Sequence, residues 1–188
     1  LENIELELAQ AMLTQYPNVR IICHDEGVDG EFRIRNLRVL ESRDGSSITQ
    51  TRIKEHGFFI HVDPSKTYFS GRLSEQRKVT HKAILKFRER FQRPLTVFDP
   101  YAGVGPSMAY LYTDSDLTEC VYVNDMNPET RDLLETNMNV FDKKRDAEGT
   151  YVVGTMDARS LASSLPETQS MADVLLVNLP HDGIEHLP

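Results

Sequence analysis

"LTVFDPYAGVGP", residues 95–106, decides how this chain folds. Five residues of extended, largely apolar character end in Asp99, and a turn with Gly103 and Gly105 on either side of Val104 follows at once. A strand running through a glycine turn into a helix is the opening move of a doubly wound α/β domain. The residues beyond repeat the pattern. "CVYVND" (120–125) is a second strand, and "MNPETRDLLETNMNVF" (126–141) a helix opened by Pro128 in its first turn. "TYVVGT" (150–155) and "ADVLLVN" (172–178) supply a third and a fourth strand. Valine-rich strands alternating with helices predict a parallel sheet whose ligand crevice lies at the strands' carboxyl ends.

Upstream the pattern is different. Residues 18–62 read as short strands separated by turns, with Asp-Gly pairs at 29–30 and 44–45 that favour antiparallel hairpins. "LENIELELAQAMLTQYP" at the start reads as an amphipathic helix with Leu6, Leu8, Met12 and Leu13 available for packing. A further helix is expected from Ser74 to about Phe91, with Val79, Ala83, Ile84 and Phe87 on its buried face. The fold class expected is therefore α/β, a Rossmann-like doubly wound parallel sheet preceded by a small antiparallel β-rich subdomain. The boundaries expected are 1–70 for the helix and β-rich part, 71–94 for a basic connecting helix, and 95–188 for the nucleotide-type domain.

Composition narrows the partners. The 188 residues carry a net charge of −8, unevenly spread. Residues 94–188 hold 5 basic against 16 acidic side chains, and residues 1–93 hold 16 against 13. The stretch 72–93 alone has eight basic residues and two acidic ones, a pattern suited to tracking phosphates. No apolar run is long enough to span a bilayer. Cys23 and Cys120 stand alone, without metal-ligand spacing, and are expected to be buried reduced thiols. No metal is expected.

The strand ends carry the chemistry. The dinucleotide fingerprint fails because Met108 occupies its third glycine position. An acid before the glycines repels a pyrophosphate and suits a ligand with positive charge. Asp125, ending the second strand, is placed to accept ribose hydroxyls, and Asp157 after the third to accept from an adenine amino group. Adenosine joined to a cationic centre describes S-adenosylmethionine.

With these motifs in place, the chain resembles the tRNA (guanine-37-N1)-methyltransferases of archaea and eukaryotes, whose relatives are the wybutosine-pathway aminocarboxypropyl transferases. "GEFRIRNL" (30–37), "IKEHGFFIHVDPSKTYFSGRL" (53–73), "VFDPYAGVGP", "VNDMNPE", "MDAR" and "VNLP" carry the resemblance, in that order. It implies methyl transfer from S-adenosylmethionine to N1 of the guanine 3′ of the anticodon. It implies that Tyr68, Asp99, Gly103, Gly105, Asp125, Asn127 and Asp157 line the cofactor pocket, with Arg33 and Asn178 catalytic. Attack by guanine N1 needs its proton removed and the charge developing on O6 stabilised, work suited to an arginine, a side-chain amide and a base.

Two departures qualify the resemblance. The family's proposed general base is a glutamate in a motif resembling "SPRLxxER", and here "SGRLSEQR" (70–77) puts Gln76 at that position and Glu75 beside it. Glu75 is the candidate substitute; the other reading is slow loss of the proton to water. The second departure is the four strands counted, fewer than the family's sheet, so an incomplete catalytic core is expected. Arg72, Arg77, Lys78 and Lys82 are the expected tRNA contacts, and a monomer is expected, in the cytoplasm by default with nucleus and mitochondrion as the other compartments. The alternatives are aminocarboxypropyl transfer and a tRNA-binding module without turnover. An amino-group methyltransferase of the "NPPY" type fits less well, because Leu179, Pro180 and His181 follow Asn178.

Overall fold

A computed structural model of the chain describes residues 2–164 and 172–178. The elements run α1 (Glu2–Gln15), β1 (Ile21–Asp29), β2 (Ile34–Ser42), β3 (Thr51–Glu55), β4 (Phe58–Val62), α2 (Ser74–Arg88), β5 (Leu95–Asp99), α3 (Met108–Leu111), β6 (Thr118–Asn124), α4 (Arg131–Asp142), β7 (Thr150–Gly154), α5 (Ala158–Ser164) and β8 (Val174–Leu175). They form two compact units, one of residues 1–51 and 63–68, the other of residues 52–62 and 69–188.

In the first unit α1 packs on the antiparallel ribbon β1–β2, which closes through Asp29-Gly30. A two-stranded ribbon covers only a narrow stripe of a helix, and that stripe is Ala9 and Leu13, one turn apart. Leu6, Leu8 and Met12, expected to pack, remain exposed. Glu5 instead ties the helix to the ribbon by ion pairs to Arg38 (2.8 Å) and His24 (3.1 Å). The hairpin expected at Asp44-Gly45 does not form: β2 pairs only with β1 among the described strands, and β3 belongs to a separate ribbon. Arg20 accounts for this. Its guanidinium reaches Asp44, Ser46, and the carbonyls of Ile48 and Gln50, drawing the chain after the turn away from β2.

In the second unit four parallel strands lie in the order β7-β6-β5-β8. The chain starts in the middle, moves outward twice, then crosses to the other side of β5. That reversal makes the carboxyl ends of β5 and β8 the switch point where α/β sheets bind ligands. Val97, Val121 and Val123 point to one face of the sheet and are buried there, whereas Phe98 and Tyr122 on the other face are half-buried and Val152 is exposed. The β3–β4 ribbon also belongs here, packed on α4. Its turn is His56-Gly57, both with positive φ (46° and 94°), the two-residue geometry that matches strand twist.

Helix α2 packs Ile84 and Phe87 inward as expected, but its face is turned so that Val79 and Ala83 are exposed and Arg77 is buried instead. The buried ion pair that Arg77 makes sets this rotation. No described helix is long and apolar enough to cross a membrane. Cys23 and Cys120 are free and half-buried, and burial raises both thiol pKa values.

Candidate functional site

The carboxyl edge of the parallel sheet is built by hydrogen bonds between its loops. Asp99 ends β5, only 3% exposed, and its carboxylate accepts from the Tyr101 N–H at 3.3 Å. The turn that follows places Gly103 and Gly105 at φ 55° and 75°, where L side chains are strained. At Gly105 a Cβ would also come within 2.7 Å of Leu134 Cδ1, a core side chain of α4. Asp125, one residue past β6, accepts from the Gly103 N–H (2.8 Å) and the Asn127 N–H (3.0 Å). Asn127 is buried, and its Oδ1 accepts from Glu129 N–H at 3.0 Å, capping the short turn before α4. The structure therefore brings Gly103, Asp125 and Asn127 together directly, with Asp99 at the head of the same turn.

Burial gives this edge its electrostatic character. It pushes the Asp99 carboxyl up to about 7, against the pull of the Tyr101 N–H and with the push of the nearby Asp125 charge. Asp125 is also raised, by burial first, against its two backbone donors. Two neighbouring carboxylates whose charged forms are disfavoured are relieved by a positively charged ligand. Asp125 keeps lone pairs beyond the two it uses, enough to accept further hydroxyl donors.

Asn124 is the residue that sequence reasoning missed. Buried at the end of β6, it donates to Pro100 O (3.1 Å) and Met156 O (2.9 Å) and accepts from Met156 N (3.0 Å). One side chain thus joins the loops after β5 and β7 on either side of its own strand. An asparagine directly before the acid, at the end of an apolar strand, was the available signal. Asn137 makes a similar link. Its amide accepts from His61 N–H (2.7 Å) and donates to His61 O (2.9 Å) and Val104 O (2.8 Å), fastening the edge of β4 to the glycine turn.

Asp157 is held by Arg159, whose side chain makes contacts of 2.5–3.0 Å to both carboxylate oxygens. Asn178 is exposed, two residues beyond Leu176, whose N–H bonds Phe98 O at 2.8 Å alongside the end of β5. Leu179, Pro180 and His181 lie outside the described residues. Arg33 and Tyr68 belong to the other unit: Arg33 is exposed at the ribbon tip with φ 53°, and Tyr68 is 44% exposed.

One charge of the basic helix is turned inward. Arg77, read as an RNA contact, is buried, with Nε and Nη2 on the two oxygens of buried Glu55 at 2.8 and 2.5 Å. Its charge is spent inside the unit. Tyr110 O–H donates to the same carboxylate at 2.8 Å, and Arg77 also bonds Ser70 O at 3.1 Å. Arg72 and Lys82 are exposed; Lys78 pairs with Glu75 at 3.3 Å. Glu75 is largely exposed and lies 3.2 Å from His56 Nε2, and Gln76 is exposed beside it. Among the described residues no His, Cys, Asp and Glu cluster could hold a metal.

The model of the TRM5/TYW2 methyltransferase domain matches residues 51–188. The chain is 30% identical over 184 residues to the tRNA (guanine(37)-N(1))-methyltransferase Trm5b of Pyrococcus abyssi, covering 96% of this chain and 48% of that protein. Among solved structures it matches aTrm5 in complex with tRNALeu at TM-score 0.74 and 25% identity, over 98% of this chain and 48% of that one. It matches Methanocaldococcus jannaschii Trm5 in complex with adenosine at TM-score 0.66 and 25% identity, over 95% of this chain and 45% of that one. The chain thus spans about half the length of the relatives it matches.

Proposed function

Since the chain belongs to the TRM5/TYW2 methyltransferase family, we propose that it is the catalytic part of a tRNA (guanine-37-N1)-methyltransferase that takes its methyl group from S-adenosylmethionine. The observation that carries the reading is the pair of buried, charge-disfavoured carboxylates, Asp99 and Asp125, on either side of a glycine turn at the carboxyl ends of β5 and β6. The chemistry of that donor set fits the cofactor: Asp125 offers lone pairs to ribose hydroxyls, and Asp99 supplies negative charge to a cation. The cofactor brings a methyl group on a sulfonium. Relatives of the chain are named for this reaction, and one is solved with adenosine.

The chain's own residues then divide the work. Gly103 and Gly105 keep the approach to the turn free of side chains, and Asn127 caps the loop that holds Asp125. In this reading Asp157 faces the adenine while Arg159 holds its orientation. Asn178 donates to the guanine edge, and Arg33 stabilises charge on O6, as the motifs imply. Glu75 takes the N1 proton in place of the family glutamate that Gln76 replaces, with His56 Nε2 beside it to accept or share that proton. Arg72, Lys78 and Lys82 contact tRNA phosphates, and we assign the enzyme to the cytoplasm as a monomer.

The test is methyl transfer from labelled S-adenosylmethionine to a tRNA transcript carrying guanine at position 37, against a transcript with adenine there. Label in the first only, with a digest containing N1-methylguanosine, is expected. An aminocarboxypropyl product would move the chain to the other branch of the family, and cofactor and tRNA binding without product would make it a binding module.

A further inference from the structure

The β3–β4 ribbon presents a face that the proposed cofactor site leaves unused. Alternation along the two strands sends Ile53, Glu55, Phe58, Ile60 and Val62 inward and Arg52, Lys54, Phe59 and His61 outward. Glu55 is neutralised inside by Arg77, so the outward face carries only positive charge. Phe59 is 40% exposed, with the Arg52 guanidinium 5.0 Å and the Lys54 ammonium 6.0 Å from its ring centre. At the turn end Lys144 bonds Gly57 O at 3.3 Å.

An exposed aromatic ring flanked by cations on a rigid ribbon, in a chain whose net charge is −8, is not explained by packing or by overall charge. It matches the chemistry that holds unpaired nucleotides, in which a ring stacks on a base and cations neutralise the phosphates on either side. The ribbon is also fixed to the proposed reaction centre, because Asn137 bonds both His61 and Val104 of the glycine turn. We infer that the outward face of the β3–β4 ribbon is a second RNA contact, with Phe59 stacking on an unpaired base of the substrate loop and Arg52 and Lys54 on its backbone. This rests on the reading of the substrate as tRNA. It adds a contact to bases where α2 offers contacts to phosphates.

The test measures binding of the 188-residue chain to a labelled tRNA transcript, to its anticodon stem-loop, and to a duplex of equal length without unpaired bases. Phe59→Ala and Phe59→Leu are each compared with wild type across a salt series. Both variants are expected to weaken stem-loop binding by roughly ten- to a hundredfold and to leave duplex binding and the salt slope unchanged. Arg52→Gln and Lys54→Gln are expected to lower the salt slope by about one each. Unchanged melting temperature and S-adenosylmethionine affinity show that the variants fold. If Phe59→Leu binds the stem-loop as wild type does while Arg72→Gln and Lys82→Gln weaken it, the ribbon assignment is wrong and the tRNA reading survives. If wild type prefers none of the three RNAs to a random polyanion, both fall together.

Discussion

Arg77 and Glu55 face each other as a two-pronged ion pair inside the second unit, Nε to Oε1 at 2.8 Å and Nη2 to Oε2 at 2.5 Å. The pair fastens the first turn of α2 to the ribbon, and Tyr110 brings α3 to the same carboxylate. Removing one partner strands a buried charge, which costs about 3–5 kcal/mol. Arg77→Met is therefore expected to lower the melting temperature by roughly 6–20 °C. Arg77→Met combined with Glu55→Leu is expected to recover most of it, since a buried pair exchanged for apolar side chains is close to neutral. Thermal unfolding followed by circular dichroism checks both; a single variant as stable as wild type would refute the role.

Asn124 supplies three hydrogen bonds between loops that make the proposed cofactor edge. Asn124→Ala leaves Pro100 and Met156 backbone groups without their partner, at a cost of about 2–4 kcal/mol. Asn124→Asp keeps the acceptor for Met156 N–H, loses both donors, and adds a carboxylate beside Asp125. S-adenosylmethionine affinity, measured by calorimetry, is expected to fall in both variants. An Asn124→Ala protein that binds the cofactor at wild-type strength would show that the loops hold without it.

Asp99 gives the site a pH dependence with a defined sign. Its carboxyl titrates near 7 when folded and in the ordinary carboxylate range, about 4, when unfolded. The folded chain therefore binds this proton more tightly. The contribution to stability is full below the ordinary range, is lost as pH rises to about 7, and is constant above. Asp99→Asn is expected to gain stability relative to wild type across that window, read from urea midpoints at a series of pH values. If a cation meets Asp99, cofactor binding strengthens as pH rises through 7 and releases a proton, which calorimetry in buffers of different ionisation enthalpy detects.

Glu75 and Gln76 separate two routes for the guanine proton. If Glu75 is the base, Glu75→Ala is expected to slow methyl transfer by about a hundredfold or more, with cofactor affinity retained. Gln76→Glu restores the family's residue and is expected to raise the rate. Single-turnover transfer to tRNA measures both, and an Ala variant at wild-type rate removes Glu75 from the mechanism.

The parallel sheet and the acids and glycines along its carboxyl edge were legible along the chain because they are local. An apolar run ending in Asp99, glycines within six residues and an acid closing the next strand each follow from short-range backbone rules. Charge density likewise marked 72–93 as basic. Orientation was not local. Which helix face is buried depended on Glu55, 22 residues before Arg77, and on Tyr110, 33 residues after it. The Asp44-Gly45 turn looked like a hairpin, but Arg20 holds the residues after it elsewhere.

What the amino-acid sequence determined by itself was the class of fold, the order of its parallel strands along the chain, and the acids and glycines at their ends. Such features need only hydrophobic period, turn residues and neighbours a few positions apart. What tertiary structure alone decided was which charges are free. It buried Arg77 against Glu55, left Arg52, Lys54 and Phe59 outward on a two-stranded ribbon, and joined that ribbon to the glycine turn through Asn137. Desolvation and long-range pairing set those outcomes, and neither is a property of residues taken a few at a time.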